Sequence, residues 1–186
     1  MSQKYSILYA DPPWDYAGRQ QHGRVQENAS AIDHYPTVKL EDLKRLNIPS
    51  ITEKDALLFM WTSSPHLEQA IELMKAWGFA YKTIAFVWYK QKTNPGYYTL
   101  SECEICIVGK KGKIPEPRGA RNIRQFLSEA RREHSQKPDE IRTRIGAMFP
   151  TQKKLELFAR NRSDGWDVFG NQVDGSIKLP TANISP

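Results

Sequence analysis

The sequence predicts an α/β fold, in which helices pack against a sheet. Short apolar runs with strand-like patterns alternate with stretches whose apolar residues recur at helical spacing. The chain has 186 residues, of which 39% are hydrophobic, so it can bury a sizeable core in one domain. Its end, LPTANISP, has the composition of a loose tail. We therefore expect one domain over residues 1–178 and a tail over 179–186.

The first elements alternate between strand and helix. Residues 5–10 are predicted to form a strand that ends at a polar corner. Residues 39–46 have leucines at helical spacing and are predicted to form a short helix. The run ALLFMW, residues 56–61, is apolar throughout and is predicted to form a buried strand.

A longer helix is predicted over residues 66–77. Its apolar face consists of Leu67, Ile71 and Met74. Ser64 is a candidate N-cap, Pro65 suits the first helical position, and Gly78 follows the last one.

The second half of the chain is predicted to contain five further strands and one helix. The helix begins at Pro138, which places Asp139 and Glu140 in its positively polarised first turn. The strands are expected at 80–90, 102–108, about 121–127, 153–160 and 166–170.

Composition excludes two classes of protein. No run is long and apolar enough to span a membrane, and the apolar stretch near the start is too short for a signal peptide. A cytoplasmic location is therefore expected.

The two cysteines form a C-x-x-C within SECEICIVG. Residues three apart on a strand point to opposite faces of the sheet, so Cys103 and Cys106 are poorly placed to act together. We expect no metal and no redox role for them.

The positive charge is concentrated in one segment. Residues 110–144 contain eleven basic and five acidic side chains, a surplus equal to the whole formal charge of +6. Together with its prolines and glycines, this surplus is typical of a basic loop that lies along a phosphate backbone. The alternative is a solvated loop whose charges serve solubility.

The first strand ends in the corner ADPPW. Pro12 and Pro13 have fixed φ and no backbone donor, so they could do no more than end an edge strand. However, α/β sheets bind ligands at the carboxyl ends of their strands, where Asp11 and Arg160 both fall. The glycine-rich motifs that bind nucleotide phosphates are absent from the sequence.

The DPPW corner resembles the catalytic motif of the MT-A70 family of adenine N(6)-methyltransferases, which use S-adenosylmethionine. The resemblance covers nearly the whole chain, because further blocks occur in the family's order: HYPTVKLEDLKRLNIP, LLFMWTSS, ECEICIVGKKGK, HSQKPDEI, KKLELFARN and FGNQVDG. It implies a Rossmann-like class I methyltransferase sheet with helices on both faces, in which the catalytic motif precedes the cofactor half.

The resemblance also implies roles for individual residues. The Asp11 carboxylate and the Pro12 carbonyl would accept the hydrogens of the adenine amine, and Trp14 would stack on the base. The implied catalytic residues are Asp11, Pro12, Pro13 and Trp14. The implied substrate-binding residues are Tyr35, on a mobile loop over residues 15–36, and Trp61. Arg121 and Arg124 are also predicted to bind the substrate, because they belong to the basic segment. The implied cofactor-binding residues are Asp11, Lys137, Glu156, Arg160, Asn171 and Gln172.

The substrate class stays open between related alternatives. The compact length favours DNA, and the same reaction on RNA is the alternative. A non-catalytic nucleic-acid-binding subunit is a third possibility, which the intact DPPW motif disfavours. Only ten residues precede Asp11, fewer than in larger relatives, so either a weaker cofactor affinity or a second copy or partner subunit that completes the pocket is expected.

Overall fold

The computed structural model describes residues 3–14, 38–96, 98–132, 136–170, 173–175 and 177. Within this part of the chain, seven strands form one mixed sheet with three α-helices around it. The strands are β1 (Tyr5–Ala10), β2 (Thr52–Thr62), β3 (Ala80–Asn94), β4 (Ser101–Lys111), β5 (Phe126–Ser128), β6 (Lys154–Leu157) and β7 (Asp167–Phe169). The helices are α1 (Leu40–Lys44), α2 (Leu67–Ala76) and α3 (Asp139–Met148), and short 3₁₀ turns occupy Ile48–Ile51 and Ser64–His66.

The order of the strands is β5-β3-β4-β2-β1-β6-β7. All neighbouring strands are parallel except β4, which runs antiparallel to both β2 and β3. The carboxyl ends of the other six strands therefore meet at one edge, which we call the carboxyl edge. The opposite side of the sheet is the amino edge. Ligands of α/β proteins bind at the carboxyl edge.

Helices cover both faces of the sheet, as expected. Alternate residues of each strand point to opposite faces, so Leu8 and Leu58 belong to the core under α1 and α2. Ile7 and Phe59 belong to the core that packs against Ile145 of α3. This α/β architecture is the one that the sequence predicts.

The structure starts the second helix differently from the prediction. Ser64, Pro65 and His66 form a 3₁₀ turn, and α2 begins after His66 without a side-chain cap. The prediction that Ser64 caps this helix is therefore wrong. Gly78 does follow the end of the helix, at φ +84°, a conformation that glycine adopts without strain.

Two predicted strands are shorter in the structure. The strand expected at 121–127 is limited to β5, because the preceding backbone pairs elsewhere: the N–H groups of Gly119 and Ala120 donate to carbonyls at the end of α3. The strand expected at 153–160 ends with β6 because Phe158 adopts φ +62°, which breaks the extended conformation. Arg160 consequently lies in a bend just beyond the strand.

Strands β3 and β4 are longer than predicted and form an antiparallel hairpin. On β4, Cys106 is buried in the core under α3, whereas Cys103 is partly exposed. In the described part of the chain, no helix has the length and apolar character required to cross a membrane.

Candidate active site at the carboxyl edge

The corner after β1 is held by backbone hydrogen bonds. The N–H of Trp14 donates to the Pro12 carbonyl at 2.9 Å, and the N–H of Val38 donates to the Pro13 carbonyl at 3.0 Å. The two prolines have fixed φ angles and no donors of their own. Asp11 therefore leaves the sheet on a stiff segment of chain.

The Asp11 carboxylate is paired with a buried lysine. Lys137 Nζ lies 2.9 Å from Asp11 Oδ1 and 3.0 Å from Oδ2, so it contacts both oxygens. The same ammonium lies 3.3 Å from Glu104 Oε2, and Lys90 Nζ lies 3.5 Å from Glu104 Oε1. Asp11, Lys137, Glu104 and Lys90 thus form a row of alternating charges, which we call the charge chain.

The strand pattern explains how the charge chain assembles. Phe86 and Trp88 on β3 point into the core under α3, and Lys90 is the next residue of that row. Glu104 follows the same rule on β4, since Cys106 two residues away is in this core and Trp88 is the partner of Glu104. In the middle of the sheet both rows are apolar, and each has a charged residue at the carboxyl edge.

Helix α3 brings Lys137 to the same place. Pro138 is the N-cap residue of α3, and a proline keeps the residue before it in an extended conformation. Lys137 is only 12% exposed and Lys90 only 8% exposed, so their ammonium groups are largely removed from water. Buried charges of this kind require partners, and the charge chain supplies them.

The charge chain shifts the pKa values of its members. Burial raises the pKa of the Asp11 carboxyl, and the neighbouring ammonium of Lys137 opposes that rise. Burial would lower the pKa of Lys137, but Asp11 and Glu104 outweigh it, so the pKa is raised and the lysine stays charged. Burial would likewise raise the pKa of Glu104, yet Lys137 and Lys90 together lower it.

Aromatic side chains form the floor beneath these charges. Trp61 is fully buried and donates from Nε1 to the Tyr9 hydroxyl at 2.5 Å. Its ring packs edge-on against Trp88, with centroids 6.3 Å apart. Lys137 Nζ lies 5.8 Å from the centre of the Trp61 ring, within the range of a cation–π contact. The structure thus brings Trp61 next to Lys137 and Asp11.

Trp14 is packed into the protein. Its side chain is 5% exposed and stacks on His66 with centroids 6.1 Å apart and planes 20° apart. Its Nε1 donates to the Trp61 carbonyl at 3.3 Å. These contacts hold the corner in place, and stacking of Trp14 on a base stays a prediction.

A second buried ion pair joins α3 to β6. Arg142 of α3 donates to Glu156 of β6 at 2.8 Å and also contacts Asp139 and Asn161. Arg160 lies just after β6, close enough that its positive charge lowers the pKa of Asp11. Glu156 and Arg160 therefore lie near the Asp11 corner, as the sequence predicts.

Two further predicted residues, Arg121 and Arg124, are not brought to this corner. Arg121 and Arg124 are exposed and lie beside the first half of β3, toward the amino edge. Tyr35, the loop over residues 15–36, Asn171 and Gln172 lie outside the described residues.

Sequence reasoning missed three charged residues of this edge: Lys90, Glu104 and Arg142. The signal for the first two was a charged residue at the end of an alternating apolar row, a position where a solvated side chain was the simpler interpretation. Arg142 lies on the face of α3 that carries Ile141 and Ile145, where a charge requires a partner.

The chain is similar to known proteins over nearly its whole length. A family model described as MT-A70 matches residues 5–172. The Type II methyltransferase M.MunI from a Mycoplasma species is 50% identical over 192 residues, which cover 96% of this chain and 82% of that protein. An N(6)-adenosine-methyltransferase MT-A70-like protein from Arabidopsis thaliana is 31% identical over 92% of this chain but 24% of its own length. The human N(6)-adenosine-methyltransferase catalytic subunit METTL3 is 29% identical over 92% of this chain and 29% of its own length.

Proposed function

The chain belongs to the MT-A70 family and is an S-adenosylmethionine-dependent adenine N(6)-methyltransferase, and from this premise we propose that it methylates adenine in DNA at the Asp11 corner. The preference for DNA is supported by the similarity to the bacterial methyltransferase, most of whose length the chain covers. The N(6)-adenosine-methyltransferases match over only about a quarter of their own length.

One observation carries the proposal for the site: a carboxylate on a stiff corner at the carboxyl edge, held by a buried lysine. The Asp11 carboxylate has further lone pairs beyond those that Lys137 engages. The Pro12 carbonyl accepts one hydrogen bond, from Trp14, and retains a second lone pair. These two acceptors would bind the two hydrogens of the adenine amine and orient its nitrogen.

Such orientation accounts for much of the catalysis that this chain can provide. The lone pair of the adenine amine is delocalised into the ring, so the amine is a weak nucleophile. Acceptors fixed by the proline corner hold it in one position and raise the electron density on its nitrogen, without reorganisation of the site during the reaction. When bound, S-adenosylmethionine supplies a methyl group that is already activated.

The residues near Asp11 fit this cofactor. An ammonium has three donors, and Lys137 uses them on two carboxylates, Asp11 and Glu104. These contacts reach three carboxylate oxygens, so the carboxylate of the methionine part would take the place of one of them, while the Asp11 carboxylate would face the positive part of the cofactor. We propose Lys137, Glu156 and Arg160 as cofactor-binding residues, together with Asn171 and Gln172.

The test is methyl transfer from labelled cofactor to three substrates: duplex DNA, single-stranded DNA and RNA of the same sequence. Mass spectrometry of the digested nucleosides should find N(6)-methyldeoxyadenosine in DNA at a higher rate than N(6)-methyladenosine in RNA. Faster methylation of RNA would contradict the proposed substrate. The absence of any product with all three would favour the binding-subunit alternative.

We further propose that a second copy of the chain is the partner that the sequence predicts. The support is the end of the β3–β4 hairpin, where Tyr98 is fully exposed and Leu100 is 68% exposed. Sedimentation should show a dimer that Tyr98→Ser with Leu100→Ser shifts to the monomer mass. A wild-type monomer at micromolar concentration would contradict this assignment.

We also propose the domain boundaries and the cellular location that the sequence predicts. Residues 1–178 form the methyltransferase domain, followed by a tail over 179–186. A cytoplasmic location is proposed because DNA and the cofactor would both be available there.

A further inference from the structure

A cavity lies on the α3 face of the sheet, away from the carboxyl edge. It has a volume of about 470 Å³, which is in the range of small-molecule sites. Its floor includes residues 82–86 at the start of β3, and its cover is formed by residues of the 114–125 segment and the end of α3. We call this cavity the amino-edge pocket.

The walls of the amino-edge pocket are mainly apolar. They include Phe59, Phe86 and Phe149, together with Val108, Ile123 and Met148. The three phenylalanines are buried core residues, whereas Ile114 at the same pocket is 43% exposed. Apolar side chains that line an open cavity gain free energy when a ligand excludes water from them.

The polar groups around this pocket are positively charged. Lys82, Lys110, Arg118 and Arg121 all contribute to it, and no acidic side chain is among the described residues that line it. A cavity with apolar walls and cationic groups around it favours a ligand with an apolar body and a negative group.

Arg118 points to the same ligand chemistry. Its guanidinium carbon lies 4.9 Å from the centre of the Phe149 ring, so the side chain covers an aromatic wall of the pocket. Its Nε atom is buried and has no hydrogen-bond partner among the described residues. The protein therefore does not engage every donor of this guanidinium, and its positive charge favours an anionic group in the pocket.

From these contacts we propose that the amino-edge pocket binds a small molecule with a flat apolar body and one anionic group, with Arg118 as the residue that binds the anion. The site is separate from the methyl-transfer site, because Asp11 and Lys137 lie at the carboxyl edge. The inference therefore does not depend on the proposed function.

The probe for this proposal is anilinonaphthalene sulfonate, which has an aromatic body and one sulfonate and fluoresces in apolar surroundings. Its uncharged analogue N-phenylnaphthylamine is the matched control ligand. With the folded full-length chain, we expect saturable binding of the sulfonate at one site. Saturating S-adenosylhomocysteine should leave that binding unchanged.

Two variants separate the anion contact from the apolar cavity. Arg118→Gln should weaken the sulfonate about tenfold, because a charge-assisted hydrogen bond is lost, and leave the uncharged analogue within about twofold. Ala85→Trp, which fills the floor, should abolish binding of both dyes. Arg45→Gln, at the exposed C-cap residue of α1, is the control and should change neither affinity.

Several results would overturn the proposal. Equal affinity of wild type and Arg118→Gln for the sulfonate would show that Arg118 does not bind the anion. Full binding to a folded Ala85→Trp variant would show that the dye binds elsewhere. If that variant does not fold, amide NMR spectra of the wild type decide: shifts induced by the dye should map to residues 82–86 and 118–125. Shifts at the carboxyl edge, or displacement by S-adenosylhomocysteine, would contradict a separate site.

Discussion

At the scale of single residues, the site depends on Lys137 having two carboxylate partners instead of one. Asp11 and Glu104 both contact it, and Lys90 in turn neutralises Glu104. A buried ammonium that lost its last partner would be strongly destabilising. Removal of Asp11 leaves Lys137 paired, so chemistry and stability can be separated at this position.

Asp11→Asn should lower kcat by at least about a hundredfold, because an amide replaces one fixed acceptor of the adenine amine with a group of weaker acceptor strength. The melting temperature should change little, since Glu104 still holds Lys137. Methyl transfer and calorimetric unfolding of the same preparation test both parts. Asp42→Asn on α1 is the control, and near-normal turnover of Asp11→Asn would contradict the catalytic assignment.

The pH dependence of the reaction should report the Asp11–Lys137 contact. Asp11 acts as the carboxylate, so activity falls as the pH drops through its pKa, which burial raises above the ordinary value of 3.8. Lys137 holds that pKa down. Lys137→Met should therefore move the acidic limb of the kcat/KM profile to higher pH and weaken cofactor binding in calorimetry. An acidic limb at the wild-type position would contradict the assigned contact.

Trp14 packs inside the protein, and it is also predicted to stack on the target base. An experiment must separate these two roles. Trp14→Ala should cost about 3–5 kcal/mol in the free energy of unfolding, because a buried indole is removed. Trp14→Phe keeps an aromatic ring and loses the hydrogen bond to Trp61 and part of the packed volume, so it should be destabilised less than Trp14→Ala. Urea denaturation measures both variants. Weaker DNA capture by a stable Trp14→Phe protein would support stacking on the base.

At the scale of elements, α3 connects the charge chain to strand β6. It begins next to Lys137 and carries Arg142, which pairs with Glu156 on β6. Burial raises the pKa of Glu156, and Arg142 opposes that rise. The contact between α3 and β6 is therefore partly electrostatic.

Arg142→Met should destabilise the protein by about 3–5 kcal/mol, since it leaves the buried Glu156 carboxylate without its main partner. Adding Glu156→Leu should recover much of that loss, because an apolar pair replaces the ion pair. Chemical denaturation of the two single variants and the double variant gives the coupling free energy. Additive losses would contradict a specific Arg142–Glu156 contact.

Comparison of the predicted and observed strands shows which parts of the fold the sequence could predict. Strand β1 and the DPPW corner were predicted correctly because apolar periodicity and prolines are local signals. The strand expected at 121–127 is shorter because the chain just before it, at Gly119 and Ala120, is bonded to the end of α3, which is a nonlocal contact. Glu104 and Lys90 were missed for the same reason: their ion pair depends on the register of two strands.

At the scale of the whole molecule, the positive charge is less available than the sequence indicated. Within the basic segment, Lys137 and Arg142 are buried in ion pairs, and Arg144 contacts Glu140 and two backbone carbonyls. Arg121 and Arg124 are exposed, but they lie toward the amino edge. Ile84, beside this segment, and Lys90 are about 20 Å apart along β3 at about 3.3 Å per residue.

This separation gives a length-dependent prediction for DNA binding. Arg121→Gln with Arg124→Gln should weaken binding of a long duplex and reduce its salt slope by up to about two, roughly one for each lost phosphate contact. A duplex of about eight base pairs with the target adenine at its centre extends only about 14 Å to either side, at about 3.4 Å per base pair. It does not reach these arginines, so its affinity should not change. Titrations at several salt concentrations measure both slopes. An unchanged slope with the long duplex would exclude these arginines from the DNA surface.

The position of β1 in the middle of the sheet bears on how the chain acquires its structure during synthesis. Its neighbours are β2 and β6, so Tyr9 near one end of the chain pairs with Glu156 near the other. The ribosome makes Asp11 well before β6, so the strand that precedes Asp11 has an open side until β6 has been translated. Loop closure over so long a stretch is slow compared with local pairing. The Asp11 corner is therefore made before most of the sheet and is among the last parts of the sheet to be enclosed.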